Sequence, residues 1–176
     1  MNLEFINALK NAASAVSVVT SNGENGMAGA TISSFCSVSA NPATLLACVF
    51  KETPLAKTIK SNKNFCINLL SQKQIDISNI FAGREVPASK NKFDLIEWST
   101  GKYNQPIITS SVASFECEVN KIIDGETHNI FIGNVLSIID DPKVEESLIY
   151  SKQKYAKYTN FDNNEIGLNK LMLEIL

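Results

Sequence analysis

Hydrophobic positions along this chain change period several times, and each change marks an element. Leu3, Ile6, Leu9 and Ala13 recur at helical spacing behind Asn2, which predicts a short capped helix lidding one end of a sheet. Residues 15–20 (AVSVVT) switch to a β-branched strand pattern. Asn22-Gly23 and Asn25-Gly26 then predict a six-residue turn region joining that strand, antiparallel, to a hydroxyl-rich one. If residues 31–39 run as one extended strand, Thr31, Ser33, Phe35, Ser37 and Ser39 share one side, and Ile32, Ser34, Cys36 and Val38 the other. Residues 44–50 (TLLACVF) and 65–70 (FCINLL) are short apolar runs suited to strands buried on both faces. Between them, Thr53 suits an N-cap and Pro54 a first helical position, for a helix reaching about Lys60.

The second half reads the same way. Ser71-Gln72-Lys73-Gln74 is a capping box opening a helix that turns Ile77, Ile80 and Phe81 inward and ends at Gly83. Residues 84–111 lose periodicity and predict a long excursion anchored by Phe93, Leu95 and Trp98, of the kind that often covers a site. Over 113–119 strict alternation returns, with Ala113, Phe115, Cys117 and Val119 inward and Ser114, Glu116 and Glu118 outward. Asp124-Gly125 turns the chain into a partner strand over 127–139 with His128 at its beginning. Leu168, Leu171, Met172 and Ile175 predict a short amphipathic helix. Six or so antiparallel strands with a few helices make a mainly β, Greek-key barrel with peripheral helices the economical architecture.

Composition narrows the function classes. A chain of 176 residues with 44% hydrophobic residues suits one domain, and a net charge of −2 argues against nucleic acid or an anionic membrane as partner. No apolar run approaches a membrane span, and the N-terminal stretch lacks the plan of a signal peptide, so the expected location is cytoplasmic. Four cysteines without C-x-x-C spacing suggest buried free thiols in a reducing compartment, and a single histidine makes a zinc site improbable.

The candidate chemistry gathers in residues 26–50, which contain no Asp, Glu, Lys or Arg although these make up 19% of the chain. A hydroxyl-rich, uncharged face suits a polar planar ligand or another subunit; the alternative is a plain Ser/Thr-rich edge strand. The helix start at Thr53-Pro54, with Lys57 one turn in, is a candidate seat for a phosphate. No dinucleotide fingerprint or P-loop occurs, and the lone histidine lies outside any hydrolase nucleophile context.

The chain resembles the flavin reductase family, the small split-barrel enzymes that supply reduced flavin to two-component monooxygenases. The resemblance rests on G-A-T-I-S-S-F-C-S-V-S-A-N-P (29–42), the apolar strand and loop up to Thr53, F-C-I-N-L-L-S-Q-K-Q (65–74), I-F-A-G (80–83), F-E-C-E-V (115–119) and G-E-T-H-N-I-F-I-G-N-V (125–135). It implies a split β-barrel domain over residues 1–160 and a helical extension over 161–176. It further implies that Thr31, Ile32, Ser33 and Ser34 line the flavin, that the Glu52-Thr53 loop takes the phosphate, and that His128 serves the hydride step. Tyr155, in the Lys154-Tyr155 pair, is implied to lie near the nicotinamide. The implied activity is NAD(P)H-dependent reduction of FMN or FAD by a homodimer that feeds an oxygenase component, with NADH or NADPH as donor. The alternative on the same barrel is a non-enzymatic FMN-binding electron carrier. Thr127 stands where the family usually has Asp before the histidine, which leaves the hydrogen-bond partner of His128 open. Read without the resemblance, a lone histidine on a strand beside apolar residues is more often a satisfied structural group than a catalytic one.

Overall fold

A computed structural model of the chain describes residues 2–159 apart from 25, 85, 87–89 and 145; the helix predicted over 168–175 lies outside the described residues. Helix α1 (Asn2–Leu9) and the short β1 (Ser14–Ala15) lead into β2 (Ser17–Gly23), β3 (Gly26–Ile32), β4 (Phe35–Ala40) and β5 (Ala43–Phe50). Helix α2 (Pro54–Asn62), β6 (Asn64–Leu69) and α3 (Ile75–Phe81) follow, then a 3-10 turn (Lys92–Leu95) and the small hairpin β7 (Trp98–Thr100) and β8 (Pro106–Ile108). The chain continues with the long strands β9 (Ala113–Gly125) and β10 (His128–Asp140) and the short β11 (Ile149–Ser151) and β12 (Lys154–Ala156).

Seven strands form one sheet in the order β3-β2-β6-β9-β10-β5-β4, each neighbouring pair antiparallel. The sheet has two edges, β3 and β4, yet only Ser33 and Ser34 separate those strands in sequence. Three peptide steps reach at most about 10 Å, whereas the edges of a flat seven-stranded sheet would lie about 29 Å apart at ~4.8 Å per strand. The sheet is therefore rolled into a barrel left split between its two edges. The same break overturns the single strand expected over 31–39. Its two halves belong to opposite edges, and the backbone bends at Ser33.

Rolling is helped by register shifts in the β9–β10 pair between Ile132 and Gly133 and between Val135 and Ser137, since bulges bend a strand. Phe65 lies directly over Gly133, where an added Cβ would come within 2.7 Å of its ring. Inside, Val19, Val49, Phe65, Ile67 and Phe131 form the core, and α2 closes one opening with Leu55, Ala56 and Ile59.

A second cluster lies on the other side of β2 and β6, where Val16, Val18 and Leu70 meet Phe81, Phe93, Ile108 and Leu148. This covering layer corrects the half-exposed strand expected over 113–119. Ser114 and Glu116 are 1% and 0% exposed, because the β7–β8 hairpin lies over them and Tyr103 N–H donates to Glu116 Oε1 at 2.8 Å. Asn68 ties the layers together. Its Oδ1 accepts from Ile108 N–H at 3.0 Å and from Ser114 Oγ at 2.8 Å, while its Nδ2 donates to Val18 O and Thr20 Oγ1 at 3.1 Å each.

Three local expectations shift as well. Helix α3 starts at Ile75, after the predicted box, because Ser71 is held in a β-bridge with Ser147; Ser71 N–H still donates to Gln74 Oε1 at 2.9 Å. Helix α1 forms but buries none of its residues against the other described ones. All four cysteines are free, but only Cys66 and Cys117 are buried; Cys48 is half-buried and Cys36 exposed. Among the described residues no helix is long and apolar enough to cross a membrane.

Candidate functional site

The split in the barrel places the end of β3 opposite the end of β5. On the first side stand Thr31, Ile32, Ser33 and Ser34. Thr31 Oγ1 donates to Ser78 O in α3 at 2.7 Å, which fixes its rotamer and leaves the oxygen's lone pairs toward the cleft. Ser34 Oγ donates to Cys48 O at 3.3 Å, and its carbonyl accepts from Cys48 N–H at 2.9 Å, so the bend is anchored to β5.

The second side is Cys48, Val49 and Phe50 followed by the start of α2. Thr53 is the N-cap, accepting from Ala56 N–H at 3.2 Å and donating its own proton to Phe50 O at 2.8 Å. An anion here would therefore meet first-turn N–H groups, not the Thr53 proton. The loop between β5 and α2 is joined to the β9–β10 turn by the Lys51–Asp124 ion pair and by Lys51 N–H donating to Thr127 O at 3.1 Å. The Lys51 hydrogen bond holds the Asp124 carboxyl below its usual range. These ties set the position of His128, which faces Phe50 across the strand pair with ring centroids 5.5 Å apart. The partner left open by the sequence is Thr127, whose Oγ1 lies 2.9 Å from His128 Nδ1. A hydroxyl can donate or accept, so this contact serves either neutral tautomer.

The third side joins the end of α3 to the excursion; the sequence marks Phe81 as inward and Phe93 as an anchor but assigns neither to a site. Phe81 and Ala82 end α3, and Asn91, Lys92 and Phe93 fold back against them. Phe81 and Phe93 meet edge to face at 5.2 Å. Lys92 Nζ donates to Phe81 O at 3.1 Å and lies 5.7 Å from the Phe81 ring centroid. Desolvation pushes the Lys92 ammonium down from its ordinary value. For Asn91 and Lys92 the only signal in the sequence is the length of the aperiodic segment.

These sides enclose a cavity of about 590 Å³ that brings together Thr31, Ile32, Ser33, Ser34, Thr53 and His128. That volume lies in the ordinary range for a cofactor or substrate site. Among its described lining residues there is no carboxylate, the hydroxyls gather at one edge, and Phe50, Phe81 and Phe93 supply apolar surface. Such a donor set fits a planar, polar, anionic ligand of the size of a flavin mononucleotide.

A flavin reductase like domain matches residues 9–159. The chain belongs to this family. It is 32% identical over 151 residues to the FMN reductase (NADH) RutF of Enterobacter cloacae, covering 86% of this chain and 90% of the relative. It is 33% identical over 157 residues to the protein of the same name from Agrobacterium fabrum, covering 88% and 87%. Among solved structures, the NADH:FAD oxidoreductase SgcE6 of Streptomyces globisporus superposes with a TM-score of 0.82 at 26% identity, over 90% of this chain and 94% of that one. SgcE6 has also been solved in complex with NAD and FAD fragments, superposing with a TM-score of 0.81.

Two residues implied by the family resemblance stand apart from the cavity. Glu52 is exposed on the loop before α2 and does not line it, and Lys57 is likewise exposed. Tyr155 borders an adjoining cavity of about 170 Å³, which shares Thr31, Ile32, Ser33 and Ala82 with the first. Its hydroxyl donates to Asn79 Oδ1 at 2.8 Å and lies 3.0 Å from Ser78 Oγ, so it fastens β12 to α3.

Proposed function

We propose that this chain is an NAD(P)H:flavin oxidoreductase that delivers reduced flavin to an oxygenase. The bound flavin supplies the redox chemistry, accepting a hydride from the nicotinamide. The reading is carried by the cavity that joins the hydroxyls of Thr31, Ser33 and Ser34 to His128 without a lining carboxylate. Hydride transfer needs no strong acid or base, so the protein's work is to seat the ring and hold donor and acceptor at reacting distance. The seat for the ring and its side chain is the wall from Thr31 to Ser34. The start of α2 offers backbone N–H groups to the phosphate, with Glu52 contributing backbone only. His128 stands at the rim, exposed, and orients the nicotinamide. Tyr155 flanks the shared wall from the smaller cavity. FMN and NADH are the preferred pair, supported by the names of the relatives at 32–33% identity.

The working form is a homodimer. Support comes from α1, where Leu3, Phe5 and Leu9 are 76%, 61% and 54% exposed, large apolar side chains that no other described residue buries. Replacing Phe5 and Leu9 with Ser should convert a sedimenting dimer to monomer; a wild-type protein that stays monomeric at high concentration would remove this part of the reading.

The activity is tested by anaerobic stopped-flow reduction of FMN and of FAD with NADH and with NADPH. Fast bleaching of the flavin by at least one pair is expected. A protein that binds flavin and leaves both nicotinamides unoxidised would be an electron carrier instead.

A further inference from the structure

We infer that Lys92 is the charge partner of the flavin, holding a negative group of the ligand in the cavity. This rests on the flavin reductase reading of the same site. Lys92 is the one Lys or Arg among the described residues lining the cavity, and no Asp or Glu lines it with them. Its backbone is set by a 3-10 turn capped by Asn91, whose Oδ1 accepts from Phe93 N–H at 3.1 Å. Its Nζ lies over the Phe81 ring, 5.7 Å from the centroid, and one ammonium proton goes to the last carbonyl of α3, at 3.1 Å. An ammonium has three donors, so two remain for another acceptor.

The local energetics point the same way. Burial among Phe81 and Phe93 disfavours the cation, and one neutral carbonyl returns only part of the lost hydration. An anion entering the cavity would restore it, so ligand binding and the Lys92 charge are mutually favourable. A role confined to capping α3 would need no cavity beside the ammonium. The negative group is either the phosphate ester of FMN or the charge that the flavin ring carries when reduced.

The test compares wild type with Lys92→Met, which keeps the stem but removes the charge, and Lys92→Arg, which keeps the charge. Oxidised FMN and riboflavin are titrated by fluorescence, and the midpoint potential of bound FMN is measured. Lys92→Met is expected to weaken FMN at least about tenfold and riboflavin much less, with Lys92→Arg restoring most of the loss. Equal weakening of neither flavin but a potential lowered by about 30 mV, a tenfold loss of preference for the reduced form, would place the charge at the ring and also support the inference. Affinities and potential all within about twofold of wild type, with or without a change in melting temperature, would overturn it and leave Lys92 as a cap. If Lys92→Met does not fold, Lys92→Gln removes the charge in its place, and wild-type FMN affinity that falls with added salt no faster than riboflavin affinity, together with an unshifted potential in Lys92→Gln, overturns it equally. Wild type binding neither flavin would instead defeat the flavin reading itself, and the inference with it.

Discussion

Gly29 in β3 and Phe81 at the end of α3 are in such close contact that a Cβ on residue 29 would stand 2.5 Å from Phe81 Cε1 and 2.8 Å from Cδ1. That approach lets the Phe81 ring form one wall of the cavity and pack edge to face with Phe93, which in turn meets Trp98 at 5.8 Å. Gly29→Ala must displace the ring. It should cost about 1–3 kcal/mol of stability, the usual range for overpacking, and should also weaken flavin binding. Denaturant melts and flavin titrations check both effects, and a variant unchanged in either would mean that Phe81 moves aside freely.

His128 is exposed, at the first position of β10, and among the described residues its side chain meets the Thr127 hydroxyl and the Phe50 ring. Little of the core depends on it, so His128→Ala should fold and bind flavin with near-normal affinity. Reduction by NAD(P)H should slow by at least about tenfold, roughly 1.4 kcal/mol of barrier. Stopped flow measures the rate, and full-speed reduction at full flavin occupancy would make the imidazole a bystander.

Asn68 is wholly buried and joins β2, β6, β8 and β9 through its amide. Asn68→Leu keeps the volume but leaves Ile108 N–H and Ser114 O–H without their acceptor. At about 1–3 kcal/mol per stranded buried group, a loss of at least about 3 kcal/mol is expected in urea unfolding. A loss below about 1 kcal/mol would show that the β7–β8 hairpin is held by other contacts.

Burial pushes the Cys117 thiol up to about 12, with Glu116 adding to the shift, and raises Cys66 in the same direction. An unfolded thiol ionises near 8.5. Between that value and about 12 the unfolded chain binds fewer protons than the folded one, so this contribution to stability is complete below pH ~8.5 and declines as pH rises through the window. Cys117→Ala should lose stability less steeply over that range. Parallel pH profiles for variant and wild type would sink the assignment.

Much of the architecture was legible because its causes are local. The Gly23–Gly26 hairpin, the Asp124-Gly125 reversal, the Thr53 cap with Pro54 behind it, and the extended strand through residues 113–119 each depend on neighbouring residues and appear where the sequence places them. The hydroxyl-rich, uncharged stretch and His128 were also legible as candidates, and six of the eight residues singled out share one cavity. What the chain alone determined is therefore which segments extend, where they turn and which residue types are candidates to line a site, since steric and hydrogen-bonding preferences act within a few residues. Other features depended on partners far away in sequence. The bend at Ser33 follows from β3 and β4 lying on opposite edges of a rolled sheet. Ser114 and Glu116 are buried because the β7–β8 hairpin crosses them, although their alternation is that of a solvent-facing strand. Lys92 carries no local mark, and it reaches the cavity only because the excursion folds its 3-10 turn onto Phe81. Tertiary structure decided these because burial and charge environment belong to the surfaces that meet, and period and propensity describe only one of those surfaces at a time.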